Sequence, residues 1–386
     1  MHPPTIDRSH PGAYRRRALR GFRLPSKAYR FGATLSLAAL VTACSSQGST
    51  DFTPIQASLD SFVSTDAAPA SGSVAGYSFA LTTPFGTVYK TAGGDQKVDD
   101  VVAIASATKL PSAMAILTLV DAGKLNLDEP VATYFAALDP TFPWPRDKQA
   151  ITMRMLLSHT AGIPSPPDPA TTDCLNNTFS TLRACAADIA QAPLDYPPGT
   201  TFSYSGADYQ VAGYLAELLS GQKWQDYFAA AVATPLGLST FSYGDTDNPR
   251  IAGGASCDVD DYAKILRMLL DGGVNASGKR VLSAAMIDEL KKNEIAGLPT
   301  NLVPFPADEQ ADYPGYTMSL WISAPSLYQP LGSPGPEYSD PGLFGTTPWV
   351  DFGAGYGAII LITQDTQTGI DMWNAARPKI LAALGY

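Results

Sequence analysis

Ile104-Ala105-Ser106-Ala107-Thr108-Lys109 runs directly into an apolar stretch, Leu110, Ala113, Met114, Leu117, Leu119 and Val120, that stops at Gly123. The spacing predicts a helix opening at Leu110, apolar enough to be buried on most sides beneath a sheet. A serine at the mouth of such a helix lies beside first-turn N–H groups that have no intrahelical partner. A lysine three residues later shares its face. This is how a Ser-x-x-Lys nucleophile is built: the lysine helps remove the serine's proton, and the helix terminus tolerates developing negative charge. The spacing alone is weak. Ser220-Gly221-Gln222-Lys223 repeats it, but there the serine ends a helix and Gly221 reads as the C-terminal stop.

The rest of the chain supplies the context. Its 386 residues suffice for a sizeable core, with a normal apolar fraction and 65 Pro plus Gly residues that imply many ordered loops. Residues 1–43 stand apart in composition: Arg8, Arg15, Arg16, Arg17, Arg20, Arg23, Lys27 and Arg30 are set against Asp7 alone, ahead of a short apolar run from Phe31 to Ala43. That pattern predicts a secretory signal peptide rather than a transmembrane helix, since about 13 residues cannot cross a hydrocarbon core of roughly 30 Å. Leu40-Val41-Thr42-Ala43-Cys44 resembles the bacterial lipoprotein signal, which implies lipidation of Cys44. Ser45 after it implies an outer-membrane lipoprotein facing the periplasm; plain secretion is the alternative. Residues 44–54 then read as a flexible tether. Without residues 1–43 the formal charge falls from −10 to −17, which argues against nucleic acid as a partner. Cys174 and Cys185 bracket a short polar segment and are expected to form a disulfide in an oxidising compartment, leaving Cys257 buried. No Cys/His cluster suggests a metal, and the reading calls for no cofactor.

Taken in order, residues 55–64 have helical spacing, and residues 74–81 and 86–91 read as strands around the Thr83-Pro84-Phe85-Gly86 turn. Residues 125–301 are helices and long loops. Residues 316–322, 343–350 and 356–363 then read as three adjacent antiparallel strands, followed by a closing helix over 370–384 that Pro378 should bend. Strands at both ends with helices between them predict an α/β (α+β) domain over 55–386. Its antiparallel sheet comes from both chain termini (55–124 and 302–386), flanked by helices, with an inserted all-helical lobe (125–301). A cleft between the lobes is the default site.

Histidine narrows the chemistry. The chain has three, and His2 and His10 leave with the signal, so His159 alone remains. No Gly-x-Ser-x-Gly elbow exists for a Ser-His-Asp enzyme. A hydrolase on this chain must activate its serine with lysine or tyrosine, whose pKa values must be drawn down. Ser106-Ala107-Thr108-Lys109, then Leu156-Leu157-Ser158-His159-Thr160-Ala161-Gly162, then Pro198-Gly199 with Phe202-Ser203-Tyr204-Ser205, occur in the order and spacing of one family. Ile251-Ala252-Gly253-Gly254 before Asp261-Tyr262-Ala263, and Gly345-Thr346 before Trp349-Val350-Asp351, extend the pattern. The chain resembles the class C β-lactamase-like serine hydrolases: β-lactamases, D-amino-acid peptidases, penicillin-binding carboxypeptidases and carboxylesterases.

The resemblance implies that Ser106 is acylated, that Lys109 shares or relays its proton, and that Tyr204 shuttles protons as a phenolate maintained by lysine charge. By residue type alone Tyr204 is one loop aromatic among 18 tyrosines. His159 is implied to be structural. The oxyanion hole would use the backbone N–H groups of Ser106 and Leu343, if the third motif is Asp340-Pro341-Gly342; Asp351-Phe352-Gly353 is a competing register. Two departures touch the substrate. Gly206 stands where the family has an asparagine that holds a substrate amide. Asp340 stands where a cation often meets the substrate carboxylate, so Asp340 is expected to repel a carboxylate or attract an amine. Gly206, Asp340 and Gly342 are therefore the expected substrate-binding positions. The reading is a carboxylesterase for small neutral esters. Its alternatives are a β-lactamase or D-amino-acid peptidase (carboxypeptidase or aminopeptidase), or a non-catalytic penicillin-recognising envelope protein.

Overall fold

The computed structural model of the chain describes residues 50–66, 68–165 and 168–386. The expected signal peptide (1–43), Cys44 and the tether up to residue 49 lie outside the described residues. Helix α1 (Thr53–Asp60), with Pro54 in its first turn, begins inside the stretch expected to be tether. Among the described residues no helix is long and apolar enough to cross a membrane.

Strands β1 (Gly76–Thr83) and β2 (Gly86–Gly94) form the first hairpin. β3 (Val102–Ala103) leaves the sheet and pairs only with β4 (Ser256–Cys257). The main sheet is completed by β5 (Gly315–Tyr316), β6 (Trp321–Ile322), β7 (Glu337–Ser339), β8 (Thr347–Asp351) and β9 (Tyr356–Leu361). Its order is β2-β1-β9-β8-β7-β6-β5, antiparallel throughout, so the C-terminal β9 pairs with the N-terminal β1. The two termini thus build one sheet, as the strand pattern predicts.

Three expectations change. The strand over 316–322 is a hairpin, because the Thr317 N–H donates to the Leu320 carbonyl and the Thr317 hydroxyl accepts from the Ser319 and Leu320 amides, forcing a reversal. β7, which polar Glu337 and Ser339 disguise, lies between β6 and β8, so the three expected strands are not mutual neighbours. The strand expected from Leu343 starts at Thr347. Residues 342–346 turn instead, with the Gly342 amide donating to Thr346 O and Gly345 at φ +89°.

Side chains alternate across the sheet and feed two cores. Ala80, Ile359, Leu361 and Val350 face the first core, with α2 (Lys109–Asp121) and the helical lobe. Phe79, Leu81, Ile360 and Trp349 face the second, under α1 and the closing helix. The lobe comprises α3 (Val131–Leu138), α4 (Met153–Leu157), α5 (Pro169–Asn176), α6 (Leu182–Gln191), α7 (Ala207–Ser220), α8 (Trp224–Phe228) and α9 (Thr234–Leu236). α10 (Val259–Leu270), capped by Asp258 accepting from the Asp261 amide, packs on β1 and β9 and covers the sheet, although it falls within residues 125–301. α11 (Ala284–Glu289) and α12 (Pro325–Tyr328) come next, and α13 (Thr366–Leu384) closes the chain, continuing through Pro378.

Candidate active site

Ser106 sits in a tight 3-10 turn, Ala105–Thr108, that leads directly into α2. Ala105 is held at φ +44°, a conformation that costs a non-glycine residue about 1–3 kcal/mol. Its surroundings hold it there. The Ile104 amide donates to Ala255 O, the Thr108 hydroxyl donates to Ala105 O, and the Ala255 amide donates to the Thr108 hydroxyl. The turn presents Ser106 to a cavity of about 240 Å³, also lined by Lys109, Tyr204, Gly206, Leu302 and Leu343. Ten of the thirteen α2 residues are buried, as its apolar sequence predicts.

Lys109 is 2% exposed. Its ammonium donates to Ser106 Oγ at 3.1 Å and to the Ala252 carbonyl at 3.0 Å, and lies 4.5 Å from the centroid of the Tyr204 ring. Burial draws its pKa down to about 8; Asp340 and Asp208 oppose the shift, while Arg250 reinforces it. Tyr204 comes from the loop before α7, its amide donating to Leu302 O and its ring packed on His159, Trp321 and Tyr316. Burial and then Asp340 push the Tyr204 phenol well above its ordinary range, and its contact with Ser106 opposes them only in part. Burial thus works against the expected resting phenolate and favours the neutral phenol. Lys109 is the group brought near neutrality.

The cleft's far side differs more. Gly342 packs so closely on the Ser106 turn that a Cβ there would lie 2.3 Å from Ile104 O, which brings Leu343 to the cavity wall beside Ser106. Gly353 packs instead on Pro334 and Gly335, away from the cavity, which favours the 340–342 register. Among the described residues neither the Ser106 nor the Leu343 N–H donates to a protein acceptor. Asp340, however, does not face the substrate. It is fully buried beneath α2, where Oδ2 accepts from the Leu110 amide at 3.1 Å and Oδ1 has no partner. Burial pushes its carboxyl up to about 8. Neither the expected repulsion of carboxylates nor the attraction of amines survives this placement. Gly342 likewise serves backbone packing, and only Gly206 of the three lines the cavity, where it precedes α7.

Several contributors escaped the sequence reading. Asp208, four residues after Tyr204, is buried and hydrogen-bonds His159 Nδ1 at 3.1 Å. Burial and Lys109 hold His159 well below its usual pKa, so it is a neutral spacer beneath Tyr204, held at φ +57°. Arg250, which directly precedes Ile251-Ala252-Gly253-Gly254, lines the cavity. Cys174 and Cys185 are bonded, with Cα atoms 5.0 Å apart, and Cys257 is free and buried. At the decoy, Ser220 ends α7, Gly221 takes φ +72° and Lys223 pairs with Asp247.

Residues 59–379 match the family model described as Beta-lactamase. Penicillin-binding protein 4 of Amycolatopsis lactamdurans is 32% identical over 247 residues, covering 55% of this chain and 61% of that protein, so the chain spans less than two thirds of that relative's length. Two solved structures share the fold. A family VIII carboxylesterase superposes with TM-score 0.66 at 20% identity over 85% of this chain and 97% of its own. A penicillin-binding protein homologue from Caulobacter crescentus gives 0.65 at 18% identity over 85% and 97%. With most of its length matched in sequence and its fold shared, the chain belongs to the beta-lactamase family of serine hydrolases.

Proposed function

We propose that this chain cleaves carboxylic esters through an acyl-enzyme on Ser106. The observation that carries the reading is the 3.1 Å contact from the buried Lys109 ammonium to Ser106 Oγ at the floor of the cavity. In its neutral form Lys109 takes the Ser106 proton as Oγ attacks the carbonyl carbon. The N–H groups of Ser106 and Leu343 stabilise the resulting oxyanion. Tyr204, a phenol in the resting site, hands its proton to the departing alkoxide and is replenished from Lys109. Water then attacks the acyl-enzyme by the reverse proton path.

The fold does not choose among substrates, since a carboxylesterase and a penicillin-binding protein homologue both share it. Gly206 provides no side-chain amide for a peptide or lactam, and Leu175, Leu302, Leu343 and Phe344 make the cavity largely apolar. Both features suit esters. The test is labelling by a fluorophosphonate, then turnover of a short-chain nitrophenyl ester against a chromogenic cephalosporin. Labelling lost in Ser106→Ala, with faster ester turnover, is the expected result; no labelling of the wild type, or faster cephalosporin hydrolysis, rejects the reading. The second reading, a D-amino-acid peptidase or β-lactamase, gains from one observation: buried Asp340 no longer opposes a substrate carboxylate.

We further propose export and anchoring through a lipidated Cys44, supported by the pattern of residues 1–44 and the Cys174–Cys185 disulfide. Cys44→Ser should then release the protein from membranes into the soluble fraction.

A further inference from the structure

Arg250 is the second cationic group of the cavity; its charge helps hold the Lys109 pKa down, but its guanidinium donors take no part in the acyl-transfer steps. Its backbone is fixed on every side. The Arg250 carbonyl accepts from the Gly253 and Gly254 amides at 3.1 and 2.8 Å. Buried Gln210 donates to Pro249 O and accepts from the Ile251 amide, and buried Ser112 donates to Ile251 O. The following Ala252 carbonyl holds Lys109. A rigid loop therefore carries the side chain at the wall of the cavity. Among the described residues the guanidinium makes no ion pair and no hydrogen bond. Arg183, Arg154 and Arg377, by contrast, all pair with carboxylates.

The charge around it is one-sided. Of the described residues lining the cavity, Lys109 and Arg250 are cationic and none is a carboxylate. The two buried acids that act on Lys109 lie outside the cavity lining, Asp340 accepting from the Leu110 amide and Asp208 bonded to His159. In a chain whose acids outnumber its bases by 36 to 26, this cleft is a local positive potential that concentrates anions. An arginine fork with free donors at the wall of a largely apolar cavity suits a planar carboxylate.

Resting on the acyl-transfer reading, we infer that the substrate carries a carboxylate a few bonds from the scissile carbonyl, and that Arg250 binds it. The physiological ester is then anionic rather than neutral, a half-ester of a dicarboxylic acid or an ester whose alcohol bears the acid. Arg250 acts as a specificity residue that raises affinity, so its effect falls on KM.

Four esters test this: 4-nitrophenyl butyrate against mono-4-nitrophenyl glutarate, with the acid on the acyl side, and phenyl butyrate against 3-carboxyphenyl butyrate, with the acid on the alcohol side. The wild type should favour one of the anionic esters over its neutral counterpart, in kcat/KM, by about tenfold or more, and added salt should erode the preference. Arg250→Ala should abolish that ratio through KM, and Arg250→Lys should restore part of it. Equal ratios in wild type and Arg250→Ala, on both sides of the ester, overturn the inference while leaving an ester hydrolase in place. Boronic acids, which bond to a nucleophilic serine without turnover, separate the two readings. A carboxylate-bearing boronic acid should bind the wild type more tightly than its neutral homologue, and equally in Arg250→Ala. If the neutral boronic acid binds and the carboxylate adds nothing, the inference alone falls. If neither binds, the nucleophile reading falls and takes the inference with it.

Discussion

Lys109 Nζ lies 4.5 Å from the centroid of the Tyr204 ring, and burial moves the two groups in opposite directions, the lysine toward neutrality and the phenol away from ionisation. In the proposed mechanism the base of the resting site is therefore the amine. Lys109 must be unprotonated to accept the Ser106 proton, so kcat/KM should rise with pH along a limb centred near 8. A pH–rate profile on a nitrophenyl ester, corrected for spontaneous hydrolysis, checks it. A limb near 10.5 would mean that the buried amine keeps its ordinary basicity.

Tyr204→Phe keeps the ring that packs on His159 and Trp321 and removes only the phenol. Its expected loss is about 10²–10⁴-fold in kcat, with an unchanged melting temperature. Retained fluorophosphonate labelling with lost ester turnover would place the defect in proton delivery to the leaving group. Near-normal turnover would remove Tyr204 from the mechanism.

Asp340→Asn tests a carboxyl that the sequence reading aimed at the substrate. Asp340 ionises near 8, the range in which Lys109 titrates, and its charge there raises the Lys109 pKa, so its removal should shift the acid limb of kcat/KM to lower pH. Stability gives a second readout. The folded protein holds the Asp340 proton up to about 8, whereas the unfolded chain releases it near 3.8. The native state thus binds more protons across that window, and wild-type stability falls as pH rises through it. The asparagine variant should show a flatter melting temperature between about pH 5 and 8, and should still accept from the Leu110 amide. An unmoved limb would mean that Asp340 and Lys109 are electrostatically independent.

Much of this was legible because it is periodic or local. β1 alternates Tyr77, Phe79 and Leu81 with smaller residues, β9 is a short apolar run, and Ser106-x-x-Lys109 encodes its contact in the geometry of one turn. What failed is non-local. Asp340 was found at the right place in the chain, but a sequence does not say which side of a strand end a carboxyl faces, and here it turns under α2. β7 was missed because Glu337 and Ser339 read as loop residues, and the group that makes a buried Glu337 tolerable, Arg377, lies 40 residues downstream. Arg250 gave a faint signal only, its place beside the Ile251-Ala252-Gly253-Gly254 run.

Gly342→Ala probes the oxyanion hole from behind. The new methyl would lie 2.3 Å from the Ile104 carbonyl oxygen, a backbone atom that cannot swing aside, so residues 342–343 must move off the Ser106 turn. Displacing the Leu343 amide should cost about 10²–10³ in kcat. Affinity for a neutral boronic acid should weaken in parallel, because its tetrahedral adduct uses the same donors. Unchanged kcat with a lowered melting temperature would confine Gly342 to packing and point to another oxyanion donor.

The buried pair that anchors β7 to α13 predicts that a second substitution recovers stability lost by the first. Arg377 Nη1 donates to Glu337 Oε2 at 2.8 Å, and the Tyr356 hydroxyl donates to Oε1 at 2.8 Å, with both charged residues nearly inaccessible. Arg377→Met strands a carboxylate in a low-dielectric core, which costs about 3–5 kcal/mol. Burial already raises the Glu337 carboxyl, and loss of the guanidinium removes its main opposition, so the variant should recover stability as pH falls and Glu337 takes up a proton. Arg377→Met with Glu337→Gln removes the stranded charge and should be more stable than Arg377→Met alone at neutral pH. Urea unfolding of the four proteins of this cycle at about pH 5 and pH 8 measures the coupling. Additive losses at both pH values would show that the pair contributes no electrostatic coupling, leaving strand β7, and the Asp340–Leu343 segment after it, held by ladder hydrogen bonds and packing.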